Sequence, residues 1–310
     1  MFNYNEKIKN IILKFYTSII DLLPKYSTSE NYWNHNIVDT PINGFKNIND
    51  SIQHLKWRNI QYLNSTKIVN LNKYNNKVVL DFGCGPGNDL VNVCLNSKPK
   101  KLLAFDVSKK AISLARKRVK LHNFKIDFLE GPEKKLKIPI SDKSIDVIHT
   151  MGVLHHIEDL SSVFKEFKRI LKKNGFIQVM VYNKNSIWYH LHVAYEVKIK
   201  MGLWPNKSLN YIFSKTVDGF KCPVAFCYNQ KEFSSLCKKN GFSCELLGIS
   251  TSLFEMEKLK FLWEALRHKK LNQKSREFLQ NLSFSINGEP IYEKKIAGIN
   301  SYYKLKKIKV

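Results

Sequence analysis

Two carboxylates and two histidines stand where this sequence could do chemistry. Asp81 closes the apolar run Val78-Val79-Leu80, and Gly83, Gly85 and Gly87 follow it at alternate positions around Cys84 and Pro86. Asp106 closes a second apolar run, Leu102-Leu103-Ala104-Phe105. Glycine serves where backbone turns with φ > 0, or where a ligand lies against bare main chain. An acid at the tip of the first run would repel a pyrophosphate and suit a ligand that carries positive charge. One carboxylate can also accept hydrogen bonds from both hydroxyls of a ribose, a role that fits Asp106 at its distance beyond the glycine loop. Farther along, His155 and His156 adjoin in Leu154-His155-His156-Ile157-Glu158-Asp159. Imidazole has the basicity to take a proton near neutral pH.

The elements that must position these groups read as alternating strands and helices. The β-branched run before Asp81 predicts a buried strand. Asn88-Asp89-Leu90 then opens a helical pattern through Leu90, Val91, Val93 and Cys94. Strand, glycine loop and helix together form the nucleotide-type unit of doubly wound sheets. A dinucleotide fingerprint is excluded, because the third glycine falls one place early and Asn88 fills the expected slot. Ser108 caps a helix carrying Ala111, Ile112, Ala115 and Val119. A third strand is expected over Phe124–Leu129 and a fourth over Asp142–Ile148. Asp159 is the N-cap of a helix striped by Leu160, Val163, Phe164, Phe167, Ile170 and Leu171, with Asn174-Gly175 as its stop signal. Strands over Phe176–Tyr182, Phe242–Ile249 and Ala297–Leu305 and a helix over Gln230–Asn240 complete the pattern.

S-adenosylmethionine carries both an ammonium and a sulfonium. The acid and the glycine spacing from Asp81 to Gly87 resemble the first motif of the class I S-adenosylmethionine-dependent methyltransferase family. The Leu-His-His-x-x-Asp segment, with its following helix, Lys172-Lys173-Asn174-Gly175 and strand, is a second match in the right order. The resemblance runs from about Trp33 to about Lys307 and is strongest over Val78–Ser186. It implies an α/β fold: a doubly wound, mostly parallel, seven-stranded Rossmann-like sheet whose antiparallel last strand lies beside the sixth. It also implies S-adenosylmethionine as cofactor, adenosylhomocysteine as product, and a cofactor site of Asp81, Gly83, Cys84, Gly85, Gly87, Asp106, Val107 and Met151. The family places an acid on the adenine amino group where Pro132 stands here, so adenine falls to Glu133 or to backbone around Pro132.

Tyr182–Ser186, Thr216-Val217-Asp218-Gly219, Tyr32-Trp33 and Leu55–Arg58 are similar to a subgroup of small-molecule methyltransferases with a helical insert after the fifth strand. That resemblance implies methyl transfer to oxygen of a small acceptor, with His155 as general base and His156 orienting the loop. Methylation of nitrogen, sulfur or carbon without a base is the alternative, as is an RNA methyltransferase using the basic surface. The expected organisation is an N-terminal helical cap (1–70), a cofactor-binding core (71–184), a substrate-cap insert (185–228) and the rest of the core (229–310), itself interrupted at about 250–292. Tyr32, Trp33 and Arg58 from one side, and Tyr189 and His192 from the insert, are the candidate acceptor contacts.

Composition narrows the partners. The formal net charge is +25, from 51 basic and 26 acidic residues, yet only six of the basic residues are arginine. A protein that grips phosphates would use more arginine, which forks onto them bidentately. The lysines therefore read as a solvated surface rather than a nucleic-acid interface. No Asn/Asp-Pro-Pro-aromatic motif and no Pro-Cys nucleophile follows the fourth strand. The cysteines at 84, 94, 222, 227, 237 and 244 match no common zinc spacing, so no metal is expected and a reducing cytoplasm is the simple reading. Ile8, Ile11, Ile12, Phe15, Ile19, Leu22 and Leu23 form an amphipathic helix ending near Pro24. Lys14 and Asp21 interrupt it, so it is not a membrane span. Packing as a cap on the protein is the simpler expectation, with contact to a membrane surface as the alternative.

Overall fold

A computed structural model of the chain describes residues 12, 15, 17–22, 26, 28–41, 43–131 and 136–308. Pro132 and Glu133, and with them the adenine expectation, lie outside the described residues. So do Ile8, Ile11, Leu23 and Pro24 of the N-terminal helix.

The apolar runs form strands β1 (Val78–Phe82), β2 (Lys101–Asp106), β3 (Asp127–Glu130), β4 (Ile145–Met151), β5 (Leu171–Tyr182) and β6 (Phe242–Ser250). Three short strands, β7 (Ser283–Phe284), β8 (Pro290–Tyr292) and β9 (Lys295–Ile296), form a small separate sheet before β10 (Asn300–Lys307). The main sheet has the order β3-β2-β1-β4-β5-β10-β6. β1 pairs in parallel with both β2 and β4, while β10 runs antiparallel between β5 and β6. The chain thus builds outward from β1 on one side and restarts at β4 on the other. That reversal opens a crevice at the carboxyl ends of the strands, where such sheets hold ligands. This is the seven-stranded, mostly parallel sheet with an antiparallel last strand that the sequence leads one to expect.

Both faces of the sheet are covered. On one side Phe82 meets Phe105 in a stack (5.3 Å) and Phe167 edge-on (4.9 Å), with Phe164 and Ile170 buried beside them. On the other, Val79, Ala104 and Val147 pack against Tyr74, Leu90 and Ala115. Asp159 caps the helix Leu160–Ile170, its side chain accepting from Ser162 N (3.1 Å). That helix ends earlier than the stop signal suggests. β5 already starts at Leu171, which pairs with Ile145. A Cβ at Gly175 would lie 2.9 Å from the Asp146 carbonyl oxygen, so this glycine permits a close strand approach and is not a helix cap. β3 begins at Asp127, three residues late, and β4 extends to include Met151.

The segment after β5 is a π-helix, Trp188–Lys200, packed on helices Leu209–Thr216, Leu262–Arg267 and Gln273–Gln280. The helical residues 17–22 lean on this insert: Asp21 accepts from Trp204 Nε1 (3.2 Å) and Tyr211 Oη (2.5 Å), and Ile20 joins the apolar cluster there. Ile12, Phe15, Ile19 and Leu22 remain exposed. Asp21, which looks like an interruption in the sequence, is the anchor.

Glu255 ties the insert to the sheet. It is fully buried and accepts from the backbone N–H of Ser252, Trp188 and Ile299 and from the Ser252 hydroxyl. Burial pushes its carboxyl up to about 7, against the opposing effect of those donors. A carboxyl whose folded value lies above its usual 4.5 contributes stability below that value and loses it as pH rises through about 7. Urea unfolding at pH 5 and pH 8 should therefore show a fall of a few kcal/mol for the native chain. That component should be absent from Glu255→Gln.

Candidate active site

The crevice at the β1/β4 reversal is a cavity of about 1100 Å³. Its floor is the glycine loop. Gly83 N and Cys84 N both donate to the Phe105 carbonyl (2.7 and 3.1 Å), which brings the loop onto the tip of β2. Gly83 has φ +79° and a Cβ there would fall 2.3 Å from Val153 Cγ2, so no other residue fits. Gly85 also has positive φ, but its missing Cβ would meet nothing within 4 Å. Gly85 therefore offers bare main chain to a ligand. Gly83 and Gly85 line the cavity; Cys84, buried in the apolar cluster behind, and Gly87, against Ala115, do not.

Asp106 lines the cavity and is held at its wall by Gly85 N on Oδ2 and Ser108 N on Oδ1, both 2.8 Å. Burial raises its carboxyl above the usual range, while those two donors oppose the rise. Each oxygen keeps a lone pair for a hydroxyl. Val107 and Met151 line the cavity beside it.

Asp81 is placed differently from its sequence reading. It sits behind the wall, 2% exposed, with Oδ2 unpartnered. Burial pushes it above the carboxylate range; His149 opposes this, and Asp89 and Asp106 add to it. In its place Asp89, on the first turn of the helix Asn88–Asn96, lines the cavity. Its oxygens take Arg58 Nη1 (2.9 Å) and Nη2 (3.4 Å), and His149 Nε2 lies 3.8 Å away. Burial works against ionisation here, yet Arg58 and His149 hold Asp89 well below its ordinary value. Arg58, expected at the acceptor, thus stands beside the glycine-loop helix, with Asp39 3.6 Å from its Nε. The only sequence signal for Asp89 was its place in the first turn after the loop. Asn88, the residue in the unexpected slot, is the hub behind it: its side chain accepts from buried Arg118 and donates to the Asp39 carbonyl (3.0 Å).

The two histidines part company. The turn Leu154–His156 places His156 at the cavity and buries His155 completely. His155 stacks on Tyr182 (3.7 Å between ring centres), accepts from Tyr182 N (3.3 Å), and has no partner for Nε2. Burial, then His156, depresses it well below its ordinary value. His156 Nδ1 meets the Val224 carbonyl at 2.6 Å, and because a carbonyl only accepts, that nitrogen carries the hydrogen. In the neutral ring Nε2 is then the lone-pair nitrogen, with Asp218 Oδ2 3.5 Å away and the Trp33 ring edge-on at 4.9 Å.

Of the aromatic candidates, Trp33 lines the cavity. Tyr32 stands behind it, its hydroxyl donating to the Asp218 carbonyl. Tyr189 and His192 face away: Tyr189 Oη bonds Asn210 (2.6 Å) and His192 Nδ1 meets Glu196 (2.6 Å), both inside the insert. In their place Trp188, Phe254 and Tyr302 reach the cavity. Asp218 and Tyr182 also line it, and neither was singled out as a site residue from sequence. Among the described residues no group of three or more His, Cys, Asp or Glu side chains is placed to hold a metal, and no helix is long and apolar enough to cross a membrane.

These features agree with what the chain resembles across known proteins. A family model described as a methyltransferase domain matches residues 73–241. The ubiquinone biosynthesis O-methyltransferase of Pelagibacter ubique is 31% identical over 157 residues, covering 50% of this chain and 61% of that protein. The malonyl-[acyl-carrier protein] O-methyltransferase of Halalkalibacterium halodurans is 28% identical over 151 residues, 46% of this chain and 55% of that one. The demethylmenaquinone methyltransferase of Chlorobaculum tepidum is 31% identical over 120 residues, 38% of this chain and 46% of that one. The chain therefore spans from 46% to 61% of the length of these relatives. The matched segment covers more than half of the 310 residues and contains the glycine loop, Asp106 and both histidines; the chain belongs to the class I S-adenosylmethionine-dependent methyltransferase family.

Proposed function

We propose that this protein transfers a methyl group from S-adenosylmethionine to a hydroxyl of a small, planar acceptor, with His156 as general base. The observation that carries this reading is His156 Nε2, a lone-pair nitrogen fixed at the cavity wall by the Nδ1–Val224 bond. This moves the base role from His155, which is sealed from the cavity and kept neutral by burial. His155 then serves as a wall under Tyr182.

The cavity suits the cofactor. Gly85 leaves main chain bare, Asp106 is held ready for a ribose diol, and Asp89 and Arg58 offer opposite charges to the ammonium and carboxylate of an amino acid. When bound, S-adenosylmethionine supplies a methyl carbon already activated by its sulfonium. The protein's part is alignment, exclusion of water and removal of one proton. His156 accepts the hydroxyl proton at Nε2 as the acceptor oxygen attacks. Trp33, Tyr62, Tyr182, Trp188 and Tyr302 give the walls flat faces suited to a ring. Two of the relatives above are named as O-methyltransferases, which supports oxygen over nitrogen or carbon.

Asp106→Ala should weaken adenosylhomocysteine binding about tenfold or more, the loss expected of charge-assisted hydrogen bonds; unchanged calorimetric affinity would remove the ribose role. His156→Ala should lower methyl transfer to phenol and catechol acceptors by about 100-fold or more, leaving adenosylhomocysteine binding within about twofold. Turnover that persists in this variant would end the base assignment.

A further inference from the structure

We propose that Asp218 is a positioning residue for His156, stabilising the imidazolium that forms when the acceptor loses its proton. This rests on the reading of His156 as base and adds a residue that acts through it.

The loop after helix Leu209–Thr216 faces His156 at both nitrogens. Val224 accepts from Nδ1 at 2.6 Å, and the Asp218 carboxylate stands 3.5 Å from Nε2. Cys222 closes the same turn, its thiol donating to Val224 O (3.3 Å) and lying 3.8 Å from Nδ1. The carboxylate is itself immobilised. Tyr182 Oη donates to Oδ1 (3.0 Å) and Oδ2 (3.1 Å), and Tyr32 Oη fixes the Asp218 main chain by donating to its carbonyl. Burial, then Asp218, raises the Tyr182 phenol well above its ordinary value, so it stays a donor. Burial raises the Asp218 carboxyl above its usual range; His156 and Tyr182 oppose that rise in favour of the charged form, and Asp39 adds to it. A carboxylate held beside a base nitrogen without reaching normal hydrogen-bond distance has one evident use: it meets the positive charge that arrives with the proton.

The step balances simply. The acceptor O–H proton passes to His156 Nε2, the oxygen–carbon bond forms as the carbon–sulfur bond breaks, and Asp218 neither gains nor loses a proton. The ionisable groups facing His156 are Asp218 from the insert loop, His155 on its own turn (4.3 Å between rings), Tyr182 from β5 and Cys222. Of these, only Asp218 supplies negative charge at Nε2.

The test compares native enzyme with Asp218→Asn and Asp218→Glu. In Asp218→Asn, kcat should fall about tenfold or more with KM within about twofold, and adenosylhomocysteine binding should be unchanged. Asp218→Glu should recover part of kcat. Independently of any acceptor, a ¹⁵N-imidazole NMR titration should show His156 Nε2 taking up its proton at lower pH in Asp218→Asn than in the native enzyme. The signal is assigned by its loss in His156→Gln. Identical Nε2 titrations in the two proteins would overturn the proposal even if His156 proves essential. Retained turnover in His156→Ala would instead overturn the base reading, whatever the NMR shows. Should Asp218→Asn fail to fold, Tyr182→Phe, which frees the carboxylate from its phenol donor, should move the Nε2 titration in the same direction by less; no movement would overturn the proposal.

Discussion

The site depends on one tight junction. Gly83 is pressed between the Phe105 carbonyl at the tip of β2 and the Val153 side chain in the loop after β4, with no room for a Cβ. That contact brings three segments, remote in sequence, to within a few ångströms: the glycine loop, the strand end bearing Asp106, and the turn bearing His156. A side chain at Gly83 would push the histidine turn off the cofactor floor, and alignment is what a methyl transfer needs most from its protein. The parallel pairing of β1 with both β2 and β4 makes the junction possible, because it sets all three carboxyl ends on one edge.

Charge is arranged around this junction in two layers. At the surface, Asp89 and Asp106 face the cavity, Asp89 paired with Arg58 and Asp106 held by backbone donors. Asp81 is buried behind them and His149, also buried, lines the cavity, each with an unpartnered atom. An unpaired polar atom in a low-dielectric interior is costly. The second layer stiffens the first. Arg118, itself buried, donates to Ser51 (2.8 Å) and to Asn88, so the start of the helix after the glycine loop is tied to helix Ile48–Gln61 and to the segment carrying Asp39.

The N-terminal segment closes the remaining side. Helix Ser29–His35 touches both halves of the site: Asn34 Oδ1 accepts from Ser108 Oγ (2.9 Å) and Lys110 N (3.2 Å), next to Asp106, while Trp33 covers His156 and Tyr32 bonds the Asp218 carbonyl. The same short helix therefore sets the distance between the end where a ribose would lie and the end where a proton would move. Glu255 performs the matching task for the insert, anchoring its first residue and the approach to β10.

By itself the chain announced its architecture and its cofactor chemistry. Strand and helix periods, the acid-glycine spacing, Ser108 and Asp159 as caps and the order of elements are local properties, written in neighbouring residues and readable from them. Tertiary structure alone decided which side chains meet. His155 and His156 are adjacent and chemically identical, yet a single short turn buries one and presents the other. Trp188 reaches the cavity where Tyr189 and His192 do not, because the π-helix turns their side chains into the insert. Arg58 was singled out in the sequence as an acceptor contact, but its partner Asp89 was not, and Asp218 joined His156 only through packing across 62 residues. Backbone preference acts over a few residues, whereas the direction and partner of a side chain follow from where distant elements come to rest.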